Sequence, residues 1–338
     1  MKPLITVAIV NWNGKEYLKE CLNGVFTQTY PRYEVVLLDN GSTDGSVAFV
    51  KKFFPKVRVI ENETNQGIAK ATNQVFTVAK GEYIASLHND AVPDSHWLDE
   101  FHKAMQMHDK RVVCIEGAVH HHGNVGVING SLNLLCFNTK DVFRNEENKF
   151  YSGTCSMFIK RGSLPEYCDS DYFFYSEDVS LGWKLRLLGY TIKRAPKAIV
   201  LHEGTSSVTN PLISNYFQYL GERNRFLNFL LYFERRSIAA LLPAQLLVTS
   251  LLLWKRALSR RKSVTPLLRA YGWLLTHPRT VMKKRREIQR MRKVPDERIL
   301  PWLSCRVVPE GVPGGKIVDR LIQASFKVFD VPCVERCR

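Results

Sequence analysis

A mostly parallel α/β fold is what the first 115 residues of this 338-residue chain predict, on three observations. Short apolar, β-branched runs alternate with stretches whose apolar residues recur at helical spacing. The runs themselves do not alternate apolar with polar, as expected of strands covered on both faces. And each of the first four runs ends in a polar segment, at the sheet edge where α/β folds bind ligands.

The elements follow in order. Ile5 to Val10 reads as the first strand. Tyr17, Leu18, Cys21, Leu22, Val25 and Phe26 mark a helix, and Val35 to Leu38 a second strand. Ser46 to Phe54 is a short helix and Val57 to Ile60 a third strand. Ile68, Ala69, Thr72, Val75, Phe76 and Ala79 define another helix, Tyr83 to Leu87 a fourth strand. Trp97, Leu98, Phe101 and Met105 share one helix face, and Val112 to Ile115 is a fifth strand. Beyond the strand ends lie Asn11-Trp12-Asn13-Gly14, then Asp39 to Gly45, Asn62 to Gly67, and His88-Asn89-Asp90. Any one is an ordinary turn by composition; four at one sheet edge point to a binding site. No G-x-G-x-x-G follows the first strand, which argues against a nicotinamide or flavin site.

Several blocks carry a resemblance. Val7 to Asn13, Val36 to Gly45, and Asn65-Gln66-Gly67 with Asn73 resemble family 2 glycosyltransferases of GT-A fold. Leu87-His88-Asn89-Asp90 stands where that family carries a D-x-D-type motif. Tyr151 to Arg161, Tyr172 to Leu181 with its Glu177-Asp178 pair, and Leu201-His202 resemble the rhamnosyltransferase-like branch. The resemblance covers about residues 4 to 230. It implies a GT-A type sheet flanked by helices and an enzyme using a nucleotide-sugar donor.

The same resemblance distributes the chemistry. A departing nucleoside diphosphate builds negative charge that a divalent cation, Mn²⁺ or Mg²⁺, stabilises. Asp90 and His202 are the implied metal residues, with Asn89 standing where the family usually has a second acid. An imidazole ligand tilts the site towards Mn²⁺. Asp39 is implied as the residue reading the N3–H of uracil or thymine; its plainer role is turn formation before Gly41. Asn11, Asn89 and the backbone at Gly67 are assigned to the nucleotide pocket. Asp178, beside Glu177, is the expected base for an acceptor hydroxyl. Acids at a helix start are also ordinary caps, and capping lowers a pKa where a base needs it raised. The aromatic run Tyr172 to Tyr175 lines an acceptor or fills core. His120-His121-His122 reads as an exposed loop, because metal sites recruit ligands at wider spacing.

The formal charge is +16, and it is localised. Arg235 to Lys293 holds sixteen basic residues and one acid, Glu287. Within it, Ile238 to Trp254 is an uncharged run of 17 residues, near the short limit for a membrane span. Basic clusters flank both ends, favouring an interfacial or re-entrant hairpin at anionic headgroups over a single short span. The Lys283 to Arg286 run repeats the basic signature, or is a solvated helix face. Interleaved aliphatic stretches argue against nucleic acid as partner. Eight scattered cysteines show no zinc-site spacing and read as buried small hydrophobes. Met1 runs directly into a strand, so no signal peptide is expected.

The expected organisation is a catalytic domain over 1–225, a membrane-associating helical region over 226–294, and a tail over 295–338. The expected activity is single-sugar, inverting transfer from a UDP- or dTDP-sugar to a lipid-linked or cell-surface glycan, at the cytoplasmic face of a membrane. The competing expectation is a degenerate, non-catalytic binding or scaffold protein. A processive synthase is disfavoured because Gly221 to Phe226 matches its Q-x-x-R-W motif only faintly, and a nucleotidyltransferase gives no reason for Glu177-Asp178.

Overall fold

The computed structural model describes residues 1–121, 131–139, 148–203, 211–259, 263–304 and 319–320. The chain divides into two compact units: 1–128, 146–185 and 190–207 form the first, and 129–145, 186–189 and 208–338 the second.

The first unit begins with β1 (Ile5–Asn11), α1 (Lys15–Phe26), β2 (Tyr33–Asp39), α2 (Ser46–Phe53), β3 (Arg58–Glu61) and α3 (Ile68–Val78). It continues with β4 (Tyr83–His88), β5 (Ala91–Pro93), α4 (Trp97–Gln106) and β6 (Val112–His121). The short antiparallel pair β7 (Ser131–Leu132) and β8 (Asn138–Thr139) belongs to the second unit. Then come β9 (Asn148–Lys149), β10 (Ser156–Lys160), α5 (Glu177–Leu187) and β11 (Thr191–His202). Every element expected over the first hundred residues is present. The fifth expected strand runs six residues further, to His121. So His120 and His121 are strand residues, half-buried, and not part of an exposed loop; His122 lies outside the described residues.

The sheet order is β3-β2-β1-β4-β10-β6-β11-β5, with β9 also on β11. β1 runs parallel to β2 and β4, and β6 parallel to β11; β10 is antiparallel to both its neighbours. Because β10 runs backwards, the residue before its first, Cys155, lies at the edge where β4 ends. β11 is irregular between Ala195 and Ile199, around Pro196, which donates no ladder hydrogen bond. Its last residue, His202, pairs with Ala91 of β5, one residue beyond Asp90.

Burial explains these elements. β1 is buried almost throughout, and α1 packs Leu18, Cys21, Leu22 and Val25 at helical spacing against the sheet. The rings of Tyr83, Phe158 and Phe101 stack at 5.0 and 5.1 Å. Trp97 lies edge-on to Phe101, and its indole N–H donates to Ser156 Oγ at 2.9 Å, so this buried donor is satisfied.

The second unit is helical: α6 (Pro211–Tyr232), α7 (Arg235–Ala257), α8 (Thr265–Thr276), α9 (Pro278–Met291) and α10 (Asp296–Ile299). Residues 238–254 lie inside one continuous α7, so the segment is not a re-entrant hairpin. By length and composition α7 is able to cross a membrane. One face is buried (Ala240, Leu241, Ala244, Val248), while Leu242, Leu246, Leu247, Leu251 and Trp254 are exposed.

Part of the basic run has a structural use. Arg285 and Arg292 donate to the carbonyls of Leu230 and Tyr232, and Gln289 to Leu231 at 2.8 Å. These are terminal carbonyls of α6, which lack partners within the helix and carry its negative dipole end. Arg292 also pairs with Asp296 at 2.9 Å. In α6, buried Arg225 pairs with Glu222 at 2.6 Å, donates to the Leu135 carbonyl at 2.8 Å, and lies over the Phe137 ring at 3.9 Å. Tyr271 donates to the same Glu222. The segment that faintly matches a synthase motif is therefore a buried structural network.

Candidate active site

The carboxyl edge of the first unit's sheet is tied together by side-chain amides. Asn11 ends β1 opposite Asp39, which ends β2. Asn11 Nδ2 donates to Asp39 Oδ1 at 2.9 Å, and Asn89 Nδ2 donates to Asn11 Oδ1 at 2.8 Å. A carboxylate only accepts, so the Asn11 amide must turn its nitrogen to Asp39 and its oxygen to residue 89. Residue 89 must then be a donor, which an asparagine is and a carboxylate is not. This explains the departure at Asn89 from the two-acid pattern. Asp39 Oδ2 accepts from the Ser42 backbone N–H at 2.8 Å, so Asp39 does form the turn before Gly41. That turn needs glycine, since Gly41 has φ +79° and a Cβ there would meet the Thr64 backbone at 2.7 Å.

Next to Asn89, Asp90 Oδ1 lies 3.1 Å from His202 Nε2. Burial opposes ionisation of Asp90, but hydrogen bonding from His202 and the charges of His202 and His88 outweigh it, and its pKa falls below the ordinary value. An octahedral divalent ion with bonds of about 2.1 Å holds adjacent ligands roughly 3.0 Å apart. The separation and the oxygen–nitrogen donor set therefore fit a shared Mn²⁺ or Mg²⁺. Around this pair stand residues that spacing did not single out. His88 and Cys155 have donor atoms within 4.8 Å of one another and of one on His202. The His121 ring is 5.1 Å from that of His202. Burial pushes the His88 pKa down to about 4, against the pull of the Asp90 carboxylate and with His202 adding to the fall.

The acid pair arrives on a separate segment. Asn73 clamps it, donating to the Cys168 carbonyl and accepting from its N–H, both at 2.9 Å. The Phe173 carbonyl accepts from Ile68 N–H at 2.9 Å, at the start of α3. A Cβ on Gly67 would lie 2.6 Å from that carbonyl, and Gly67 has φ +82°. Gly67 is thus required by the close approach of the acid-bearing segment. Tyr175 and Ser176 then adopt φ +68° and +63°, a costly region for residues with side chains, immediately before Glu177. Tyr172 is core, as one of the two expectations for the aromatic run has it, whereas Tyr175 is exposed.

Glu177 and Asp178 open α5. Asp178 Oδ1 accepts from Val179 N–H at 2.7 Å, and Glu177 Oε2 is buried without a hydrogen-bond partner among the described residues. Burial raises both pKa values, and the Asp178 charge adds to the rise at Glu177. For Asp178, burial outweighs the hydrogen bond from the Val179 N–H. Among the described residues no hydrogen bond joins this pair to Asp90 or His202. A groove of about 680 Å³ lies beside α3, lined by Asn62, Gln66, Asn73, Gln74 and Ser170 among others, but none of the candidate site residues lines it.

Residues 6–164 match the model of the family described as Glycosyl transferase family 2. The chain is 35% identical over 116 residues to Glycosyltransferase GlyG of Streptococcus pneumoniae serotype 4, covering 33% of this chain and 38% of that protein. Staphylococcus aureus TarS 1–349 in complex with UDP superposes with a TM-score of 0.54 at 17% identity, covering 97% of this chain and 92% of that one. A mannosyltransferase, PcManGT from Pyrobaculum calidifontis in complex with GDP-Man and Mn²⁺, does so with a TM-score of 0.52 at 18% identity, covering 86% of each. The matches span 38%, 34% and 48% of the first curated relatives' own lengths, between a third and a half. The fold is thus GT-A-like: a mostly parallel mixed sheet flanked by helices.

Proposed function

We propose that this chain is a metal-dependent, inverting glycosyltransferase. It moves a single sugar from a UDP- or dTDP-sugar to a hydroxyl of a lipid-linked or cell-surface glycan, at the cytoplasmic face of a membrane. The observation that carries this reading is the unbroken run Asp39–Asn11–Asn89, with Asp90–His202 next in sequence and space. It joins a nucleotide-reading carboxylate to a cation-holding pair along one sheet edge. The family match over 6–164 and the UDP, GDP-Man and Mn²⁺ in the two structural neighbours support the donor class.

Each oxygen of Asp39 keeps a second lone pair with which to accept the N3–H of uracil or thymine. Asn11 and Asn89 hold that carboxylate in place, and the loop at Gly67 borders the pocket. Asp90 and His202 would hold a divalent cation, which supplies charge neutralisation for the departing diphosphate. Asp178 takes the proton of the acceptor hydroxyl as its oxygen attacks the anomeric carbon. The bond from that carbon to the diphosphate oxygen breaks, and the configuration inverts. Glu177 stands beside Asp178, its own carboxyl pushed up by burial and then by the Asp178 charge. The branch resembled makes a deoxyhexose such as rhamnose the first donor sugar to try.

The exposed Leu242, Leu246, Leu247, Leu251 and Trp254 on α7, followed by Lys255 and Arg256, support docking on an anionic membrane surface. The apolar side chains enter the headgroup boundary while the basic ones meet lipid phosphates. Arg260, Arg261 and Lys262 lie outside the described residues.

Asp178→Asn tests the reading. Transfer should fall about 10²–10⁴-fold, the usual contribution of a positioned base. Nucleotide affinity should stay within about twofold. Near-normal turnover would remove Asp178 as the base. A non-catalytic reading draws on Asn89 in place of an acid, but the donor requirement of Asn11 accounts for that asparagine without loss of function.

A further inference from the structure

The cluster around His202 offers more donors than a cation bound through Asp90 uses. His88 ends β4, Cys155 precedes the antiparallel β10, and His202 ends β11, so three chain segments converge. Donor atoms of His88, Cys155 and His202 all lie within 4.8 Å of one another. Each imidazole has one nitrogen engaged: His88 Nε2 with Thr154 Oγ1 at 3.1 Å, and His202 Nε2 with Asp90 Oδ1 at 3.1 Å. His202 Nδ1 is buried with no hydrogen-bond partner among the described residues. A metal-ligating histidine typically has this arrangement, with one nitrogen oriented by a carboxylate or hydroxyl and the other free for an ion. Cys155 is buried and unoxidised, and adds a sulfur donor.

A sulfur and two imidazoles are a poor set for Mg²⁺, which takes oxygen, and a good set for Zn²⁺. Tetrahedral Zn²⁺ with bonds of 2.0–2.3 Å needs donors roughly 3.3–3.8 Å apart. The trio therefore has to close by at most about 1.5 Å, within reach of side-chain rotation. We propose that His88, Cys155 and His202 form a second, thiophilic metal site that binds Zn²⁺, distinct from the Asp90–His202 site and sharing His202 with it. Binding replaces the Cys155 S–H bond with a sulfur–zinc bond and releases the proton to solvent. The fourth position is left for water. Zn²⁺ held here ties up His202, so it antagonises the donor-side cation. That consequence rests on the proposed transferase reading; the binding itself does not.

The test uses full-length, metal-free protein with Co²⁺ as a spectroscopic stand-in for Zn²⁺. One equivalent of Co²⁺ should produce a thiolate-to-cobalt charge-transfer band together with tetrahedral d–d absorption. Zn²⁺ should abolish both stoichiometrically, whereas a hundredfold excess of Mn²⁺ should not. Cys155→Ser should lose the thiolate band with the other seven cysteines intact, and His88→Gln should weaken Co²⁺ binding at least tenfold. Two variants at different elements guard against a misfolding artefact, and circular dichroism checks each. A missing thiolate band in the native protein, or one that survives in Cys155→Ser, overturns the site. Calorimetric titration of Cys155→Ser with UDP and Mn²⁺ separates the two readings. Retained binding alongside a cobalt band missing from the native protein refutes only the zinc site. A Cys155-dependent band with no nucleotide binding refutes only the transferase reading.

Discussion

The sheet edge of the first unit and the helices of the second both hold buried charge, but they satisfy it differently. In the helical unit Arg225 meets Glu222, the Leu135 carbonyl and the Phe137 ring, and Arg285 and Arg292 close the end of α6. Each of these charges meets an acid or a carbonyl. At the sheet edge Glu177 Oε2 and His202 Nδ1 are buried without hydrogen-bond partners among the described residues, and the Glu177–Asp178 carboxyls sit in surroundings that disfavour their charge. Two backbone positions beside them are strained. Saturated charge holds a fold, whereas unsatisfied charge costs stability and is retained where chemistry needs it.

Substitutions should therefore separate cleanly between the two regions. The largest effect is the 10²–10⁴-fold loss of transfer in Asp178→Asn, which should come without loss of stability. The sign follows from linkage. A raised carboxyl pKa contributes stability that is full below the ordinary carboxylate range and lost as pH rises through the folded-state value. Above that value the neutral asparagine relieves the site, so thermal melts at pH 8 should show Asp178→Asn at least as stable as the native protein. By the same shift, transfer rate should climb with pH through a limb lying above the ordinary carboxylate range. A rate independent of pH there would break the comparison from the catalytic side.

Arg225→Ala is the opposite case. It leaves Glu222 buried and unpaired, which costs about 3–5 kcal/mol. Denaturant melts should register that loss, while UDP affinity in the protein that remains folded should be unchanged. Gly67→Ala sits between the two, since its backbone (φ +82°, ψ 158°) is a region left to glycine, costing roughly 1–3 kcal/mol, and the Phe173 carbonyl blocks the new methyl. It should lower both stability and transfer. The smallest effect on the fold belongs to Leu246→Glu with Leu251→Glu on the exposed face of α7. Vesicle flotation should lose binding to anionic membranes, with the melting temperature within a degree or two. Unaltered vesicle binding would leave that face without its proposed partner.

The legibility of the chain divides along the same line. Strands β1 to β4 and helices α1, α3 and α4 were readable because buried parallel strands leave apolar runs and their helices repeat at 3.6 residues. Asn11, Asp39, Asn89 and Asp90 are legible as neighbours because strands β1, β2 and β4 end together. His88 and Cys155 were not, because β10 runs antiparallel and enters the edge from the opposite direction, which local pattern does not reveal. His121 was misread as loop because a histidine run carries no strand signature and only pairing with β11 extends β6 that far. The basic run over Lys283 to Lys293 looked like solvated or membrane-facing charge, since helix-end carbonyls that accept from Arg285 and Arg292 lie over fifty residues earlier.

The most direct measurement is calorimetric titration of the full-length protein with UDP, dTDP, GDP and CDP, with and without Mn²⁺. UDP or dTDP should bind in preference to the others, strengthened at least tenfold by Mn²⁺, with that gain lost in Asp90→Ala. No nucleotide binding under any condition, or binding indifferent to both base and metal, would contradict the proposed function.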